Sequence, residues 1–392
     1  MKLYWFLVAA IIPVIAALPS LIPPSSVTTG DLVEKHGYPF EEHEVQTSDG
    51  YILTMHRIPY SARVETPEPR PVAFLMHGIL CSSSDWVLLG PGLGLAYLLS
   101  DAGYDVWMGN ARGNTYSKRH ATMIPYLPNF WNFDWHEIGM NDIPAMIDYA
   151  LYETKQDQVS YIGHSQGTTT FLVLSSMNPK FKNRIRSAHL IAPVAFMDNM
   201  KSPIVKLGGP LFGNPNSWIN IFGNTELMPN TRLLEQLGQQ NCMDTSTYQA
   251  LCSNMIFLFA GFDHDNLNTT LIPEILATTP AGASTNQIIH YAQEYVSGKF
   301  RQFDLGRGHR KPKDYPLDKI DVPIFLYYSE NDYMASVVDV EKLMRKLKKK
   351  TLKRAYKVPD PNWNHLNFLW GLNIKEQVYN AVMEDIESMR YQ

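Results

Sequence analysis

A serine flanked by two glycines is the strongest chemical signal in the sequence. The segment Gly163–Gly167 (GHSQG) follows an apolar run, Gln158 to Ile162, and precedes a helical pattern from Thr168 to Ser176. A G-x-S-x-G sequence between a strand and a helix is typical of a tight, strained turn that exposes the serine hydroxyl. The pattern predicts Ser165 as a nucleophile for acyl transfer, with the N–H of Gln166 as one donor to the oxyanion.

A second oxyanion donor is predicted after an earlier strand. The apolar run Val72 to Met76 ends at His77-Gly78-Ile79. The N–H of Ile79 would point at the same oxyanion, and Gly78 would let the backbone approach it. We interpret His77 as a turn residue without a role in proton transfer.

An acid and a histidine must follow the serine in chain order in an enzyme of this type. Asp332 lies just after the predicted strand Val322 to Tyr328, and His365 is the only histidine beyond it. Glu330 and Asp339 are rivals for the acid, although Asp339 is expected inside the next helix. We therefore predict that Asp332 orients His365, that His365 takes the serine proton, and that an acyl-enzyme forms and is hydrolysed.

Other classes of chemistry find no support in the sequence. It contains no metal-ligand spacing and no phosphate-binding glycine loop, so no metal and no cofactor are expected. The formal net charge is −4, which does not favour nucleic acid as a partner. A basic cluster from Lys342 to Arg354 is interpreted as the solvated face of a helix, with a membrane-surface patch as the alternative.

The first residues resemble a targeting segment. Lys2 precedes an apolar run from Leu3 to Ala17, which predicts a signal peptide over residues 1–19, with an uncleaved anchor as the alternative. No later run approaches the roughly 18 to 20 apolar residues of a membrane span, so the mature chain is expected to have no transmembrane segment. We predict a secreted protein, with the lysosomal lumen as the alternative location.

The cysteines and one sequon fit an oxidising compartment. Cys242 and Cys252 flank a short segment and could form a disulfide, whereas the alternative is two buried free thiols. Cys81 is then left over and is interpreted as a small buried thiol. Asn268 begins a glycosylation sequon, Asn-Thr-Thr.

The order of apolar runs predicts an α/β fold with a mostly parallel central sheet. The core is expected over residues 20–195 and 320–392. Residues 196–319 are rich in Gly, Pro, Asn and Thr and carry helical fragments, which predicts an inserted helical cap. Within it, residues 226–257 are the predicted lid over the serine, because apolar and polar side chains alternate there.

Several longer motifs resemble those of the acid lipases, the family that includes gastric lipase and lysosomal acid lipase. The match covers nearly all of the mature chain. The motifs are Gly37-Tyr38-Pro39, Thr47 to Leu53, His56-Arg57-Ile58-Pro59, Ala102 to Trp107, Gly109 to Asn114, Gly163 to Thr169, Leu251 to Asn254, Gly261-Phe262-Asp263 and Asn364-His365-Leu366 with Phe368.

The resemblance implies an α/β-hydrolase core with a helical cap and a mobile lid. It implies neutral lipid esters as substrates, met at a lipid–water interface, and it supports Ile79 and Gln166 as oxyanion donors and a Cys242–Cys252 disulfide. Three features depart from the family pattern, and none removes a catalytic group: Ser329-Glu330-Asn331 before the acid, Asn367 in place of an acidic residue, and Cys81 in place of a small one.

Three functions compete at this point. The expected one is a triacylglycerol lipase. A sterol esterase or general carboxylesterase would use the same machinery, and the lining of the cap would decide between them. A non-enzymatic lipid-binding protein on a hydrolase scaffold is the remote alternative, and the retention of Ser165, Asp332 and His365 argues against it.

Overall fold

The structure is a computed structural model that describes residues 25–213, 224–243, 246, 249, 252, 260–263, 265–306 and 311–390. The predicted signal peptide, residues 1–19, lies outside the described residues. So does the part of the predicted lid from Met255 to Phe257. No helix within the described ranges is long and apolar enough to cross a bilayer.

In the described part of the chain, nine strands form one sheet and two short strands form a separate pair. The strands are β1 (Glu41–Gln46), β2 (Tyr51–Ile58), β3 (Val72–Met76), β4 (Asp105–Gly109), β5 (Arg119–His120), β6 (Val159–His164), β7 (Ile185–Ile191), β8 (Glu226–Leu227), β9 (Ala283–Ser284), β10 (Ile324–Tyr328) and β11 (Leu352–Lys357). The main sheet runs β1-β2-β4-β3-β6-β7-β10-β11, with β5 paired to β2.

Six neighbouring strands, from β4 to β11 along the sheet, are parallel, while β1 and β2 join them in antiparallel fashion. The central strands β3 and β6 are buried at every position. Strands covered by helices on both faces read as continuous apolar runs, which is why the sequence predicted them. The fold class, α/β with a mostly parallel sheet, is confirmed.

Helices cover both faces of the sheet. They are α1 (Thr29–Glu34), α2 (Leu95–Asp101), α3 (Trp135–Glu137), α4 (Ile143–Thr154), α5 (Gln166–Met177), α6 (Pro203–Phe212), α7 (Arg232–Asn241), α8 (Ile272–Thr278), α9 (Thr285–Ser297), α10 (Val337–Lys346), α11 (Asn367–Trp370) and α12 (Asn380–Ser388). Short π-helical segments at Ile138–Asp142 and Lys375–Tyr379 lead into α4 and α12.

The antiparallel strands β1 and β2 were not predicted. Strand β1, with the sequence EEHEVQ, alternates between half-buried and exposed positions. Such a strand packs only one face, and its charged residues hide it from a search for apolar runs. Its partner β2 brings Tyr51 to the edge at which the parallel strands end, next to the loop that follows β4.

The segment between β7 and β10 carries helices α6 to α9, together with the antiparallel pair β8–β9. The two-residue strands were too short to be predicted from the sequence. Helix α7 begins after Thr231, whose hydroxyl accepts a hydrogen bond from the N–H of Leu234. A threonine cap of this kind satisfies one of the free amides of the first turn.

A disulfide joins Cys242, at the end of α7, to Cys252, with 5.9 Å between the Cα atoms. Cys242 is buried in a cluster that also contains side chains of α8. Cys81 is a free, buried thiol. The bond therefore ties Cys252 to the end of α7, in the same apolar cluster as side chains of α8.

Reduction of this disulfide should loosen the insertion more than the sheet. Closing a loop of this size restricts the unfolded chain and stabilises a protein by roughly 2–3 kcal/mol. We expect amides of α7 and α8 to exchange hydrogen faster after reduction, while amides of β6 keep their rates. Mass spectrometry of the unreduced protein that found both cysteines as free thiols would contradict this expectation.

Candidate active site

Ser165 occupies a strained turn between β6 and α5. Its φ and ψ are 50° and −117°, and its N–H donates to the carbonyl of Ile191 at 3.0 Å. A Cβ on Gly163 would lie 2.8 Å from the backbone of Gly167, and one on Gly167 would overlap the carbonyl oxygen of Met76. Only glycine fits at both positions, so the flanking glycines allow the turn and the turn presents the hydroxyl.

The structure brings Ser165, His365 and Asp332 into one hydrogen-bonded chain. His365 Nε2 lies 2.8 Å from Ser165 Oγ, and His365 Nδ1 lies 2.8 Å from Asp332 Oδ2. All three side chains are buried. Serine is 200 residues from the histidine in the sequence, and the two meet because their loops leave the same edge of the sheet.

Backbone amides hold the carboxylate of Asp332 in place. Its Oδ1 accepts from the N–H groups of Met334 and Ala335 at 2.8 and 2.7 Å, which leaves Oδ2 for the histidine. Because Oδ2 accepts a hydrogen bond from the Nδ1–H, the imidazole keeps its proton on Nδ1 and leaves Nε2 free to accept a hydrogen bond from the serine hydroxyl.

The two rival acids are engaged elsewhere. Glu330 forms a surface ion pair with Lys357. Asp339 lies in α10, as predicted, and accepts hydrogen bonds from the backbone and side-chain nitrogens of Asn199 at 3.0 and 2.9 Å. Asp332 is therefore the one of the three acids that reaches His365.

The two predicted oxyanion donors flank Ser165. Gln166 is the first residue of α5, where backbone N–H groups point away from the helix. Gly78 precedes Ile79, and a Cβ on Gly78 would lie 3.2 Å from the Cβ of Ser165. No tertiary acceptor for either amide lies in the described part of the chain. Two free amides at a helix N-terminus and a neighbouring turn suit an anion that develops beside the serine.

His77 is held in a neutral form by its surroundings. Its Nε2 accepts from the N–H of Ala111 at 3.1 Å, so Nδ1 carries the proton and donates to the carbonyl of Gly78 at 2.7 Å. Burial lowers the pKa of His77 to about 4. Its contacts support the turn before Ile79.

Several contacts that support the site were not predicted from the sequence. His164 Nε2 donates to the carbonyl of His365 at 3.2 Å, and burial, followed by the nearby His365, lowers its pKa well below the usual range. The side chain of Gln166 donates to Gln287 of α9 at 2.6 Å and so links the serine turn to the insertion. Asn364, next to the base, donates to the carbonyl of Gly261, and Asn331, next to the acid, donates to the carbonyl of Asn362. The one sequence feature that hints at these contacts is the pair of asparagines in Asn362-Trp363-Asn364, next to the predicted base.

Two family models match the chain. The partial alpha/beta-hydrolase lipase region matches residues 29–90, and the alpha/beta hydrolase fold matches residues 71–238. The second range contains the serine turn.

Curated relatives span nearly the whole chain. Lipase 3 of Drosophila melanogaster is 51% identical over 366 residues, which are 92% of each chain. Gastric triacylglycerol lipase of Mus musculus is 36% identical over 371 residues, also 92% of each chain. Lysosomal acid lipase/cholesteryl ester hydrolase of Homo sapiens is 35% identical over 376 residues, 93% of this chain and 92% of the relative.

Solved structures agree on the fold. A putative lipase from Sulfolobus solfataricus superposes with a TM-score of 0.62 and 14% identity, covering 95% of this chain and 98% of its own. A similarity at this level of identity supports the α/β-hydrolase architecture alone.

Proposed function

The chain belongs to the family of gastric and lysosomal acid lipases, carboxylic ester hydrolases of the α/β-hydrolase fold, and on that premise we propose that it hydrolyses neutral lipid esters through an acyl-enzyme on Ser165. The continuous hydrogen-bonded chain from Ser165 through His365 to Asp332 carries the proposal. A carboxylic ester is a group that this arrangement can cleave without a cofactor, and it is the one that the named relatives hydrolyse.

Acylation begins when Ser165 Oγ attacks the ester carbonyl carbon and its proton passes to His365 Nε2. Asp332 stabilises the imidazolium, because its carboxylate faces the Nδ1 proton from a fully buried position. The C–O bond to the leaving alcohol then breaks, and the Nε2 proton goes to the alcohol oxygen. The product of this half-reaction is an acyl ester on Ser165.

Deacylation repeats the same proton path with water. His365 Nε2 removes a proton from the water, whose oxygen attacks the acyl carbon, and the proton is then returned to Ser165 Oγ as the fatty acid leaves. In both halves the carbonyl oxygen becomes negative. In this proposal the N–H groups of Ile79 and Gln166 donate to that oxygen, and each such donor is worth roughly 3 kcal/mol in related sites.

Two ester classes compete as substrates. The relative named as a triacylglycerol lipase is 36% identical to this chain, and the relative named as a cholesteryl ester hydrolase is 35% identical. We propose triacylglycerol as the main substrate. Hydrolysis of emulsified triolein and cholesteryl oleate by the purified protein, compared at equal concentration, tests this: a higher rate on the cholesteryl ester would reverse the assignment.

If α7 belongs to a lid, substitutions on its exposed face should lower activity on emulsified esters more than activity on soluble esters. Leu233 and Leu237 lie on one face of α7 and are 46% and 44% exposed, whereas Glu235 points inward. Adjacent apolar side chains on an exposed helix are suited to contact a lipid phase. Burying one leucine in an apolar phase contributes about 1.5–3 kcal/mol, so replacing both with Gln should lower activity on emulsified long-chain esters by about tenfold or more.

Activity of the Leu233→Gln/Leu237→Gln variant on a small soluble ester should stay close to that of the unmodified protein. Met177→Gln is a matched control, because Met177 is exposed at the far end of α5, away from the serine. Equal losses on both substrates, or no loss on either, would mean that α7 is only a structural part of the insertion.

The proposed cellular setting is the secretory route, ending outside the cell or in the lysosomal lumen. The disulfide between Cys242 and Cys252 fits an oxidising compartment. Asn268 is half-buried at the start of a short turn, where its side chain accepts from Thr270, and it is a candidate glycosylation site. Mass spectrometry of the protein before and after deglycosylation tests the assignment.

A further inference from the structure

One short stretch of the insertion contacts both loops of the proposed catalytic chain. We call residues 260–263 and 265–266 the bridging segment. The carbonyl of Ala260 accepts from the backbone N–H of Tyr333, next to the acid, at 3.3 Å and from that of His365 at 3.2 Å. A single carbonyl therefore joins the loop of the acid to the backbone of the base.

Two asparagines extend this junction. Asn331 Nδ2 donates to the carbonyls of Phe262 and Asn362, both at 2.8 Å, and Asn364 Nδ2 donates to the carbonyl of Gly261 at 2.9 Å. Gly261 has a φ of +116°, and a Cβ there would overlap the carbonyl oxygen of Asn331. The backbones are packed too closely for a side chain, so a shift of the bridging segment would move both loops.

A buried carboxylate anchors the junction on the side of the base. Asp263 is 3% exposed and accepts from the N–H groups of Asp265 and Asn266 at 3.0 and 3.1 Å, and from Asn266 Nδ2 at 2.9 Å. Asn367 Nδ2 also donates to Asp263 Oδ2. The N–H of Asn367 donates to the side chain of Asn364 at 3.0 Å, which ties this contact to the base loop.

We propose that Asn367 is a positioning residue for His365, and that its carboxamide holds the base loop on the bridging segment regardless of pH. The inference rests on the roles proposed above for Ser165, His365 and Asp332. An amide N–H donates to a carboxylate without any proton being taken up or lost. A carboxyl group at the same position could donate only while protonated, and two ionised carboxylates in contact repel each other.

Within the described residues, no lysine or arginine forms an ion pair or hydrogen bond with Asp263; its partners are Asp265, Asn266 and Asn367. Two acidic groups belong to the same hydrogen-bond network: Asp265, on the same segment, and Asp360, which accepts from Asn266 Nδ2 at 2.7 Å. His365 lies two residues before Asn367 in the chain. A second carboxyl group placed here would therefore meet acidic groups, and its pKa would be raised.

The test is the pH dependence of Asn367→Asp on a small soluble ester. At about pH 5 the two carboxyl groups can share a proton and keep the contact. As the pH rises to about 8 both ionise and the base loop is displaced. Since small displacements of a catalytic group cost up to about 100-fold in rate, kcat of the variant relative to the unmodified protein should fall at least about tenfold over this range, with KM little changed.

Asn373→Asp is the matched control. It adds the same charge to the same C-terminal region at an exposed position, and it should follow the unmodified pH profile. Near-ultraviolet circular dichroism at both pH values checks that the variants stay folded. A folded Asn367→Asp protein whose pH profile matches the unmodified one would overturn the proposal.

A double variant in which the side chains of Asp263 and Asn367 are exchanged gives a second, independent test. Asp263→Asn combined with Asn367→Asp restores one donor facing one acceptor and should recover the unmodified profile. If Asn367→Asp does not fold at either pH, the double variant becomes the test. Recovery of the unmodified pH profile supports the proposal, and continued loss of activity overturns it. Ser165→Ala in the same assay separates the two proposals, because activity remaining in that variant would count against the catalytic chain itself.

Discussion

Replacement of Ser165 by alanine should reduce kcat for ester hydrolysis by a factor on the order of 10⁶, as seen when a triad nucleophile is removed from another serine hydrolase. No other hydroxyl is hydrogen-bonded to His365 Nε2 among the described residues, so the variant has no group to form the acyl-enzyme. The measurement is turnover of a chromogenic short-chain ester, supported by the loss of labelling with an organophosphate.

The fold should survive this change. Alanine is no larger than serine, and the backbone N–H of residue 165 would still donate to the carbonyl of Ile191. Ser176→Ala is a suitable control because it removes a buried hydroxyl from α5, the helix that follows Ser165, and among the described residues this hydroxyl bonds only to the carbonyl of Val173. Turnover by Ser165→Ala near that of the unmodified protein would refute the mechanism.

Replacement of Asp332 by asparagine should lower kcat by about 10⁴-fold. The N–H groups of Met334 and Ala335 both donate to one oxygen of residue 332, so the amide oxygen of the asparagine would face them and its NH₂ would face His365. The imidazole would then accept at Nδ1 and carry its proton on Nε2. In that tautomer it cannot take the proton of Ser165.

Glu330→Gln is the matched control for this prediction. It makes the same change from carboxylate to amide on the same loop, at a surface side chain paired with Lys357. Its kcat should stay within about threefold of the unmodified value, because exposed ion pairs contribute about 0–1 kcal/mol. If Asp332→Asn were as active as Glu330→Gln, the acid would have been assigned wrongly.

The linear sequence determined the main lines of the fold. Strands β3, β6 and β10 were predicted because each is buried by helices on both faces, so burial alone dictates an apolar run. The serine turn was predicted because Ser165 has a positive φ and the backbone on both sides of it lies close to other backbone atoms. Positions 163 and 167 therefore have room only for glycine. Chain order and the single downstream histidine then pointed to Asp332 and His365.

Only the tertiary structure decided which groups hold these residues in place. The contacts of Asp263 with Asn367, of Asn331 with Phe262, and of Gln166 with Gln287 join parts of the chain that are 69 to 121 residues apart. Polar side chains of this kind carry no periodic pattern, since each is selected by one distant partner in a buried site rather than by the face of a helix or strand. Local sequence therefore predicts the reacting groups proposed for this protein, whereas the hydrogen bonds that position them form only when the insertion and the sheet edge are brought together.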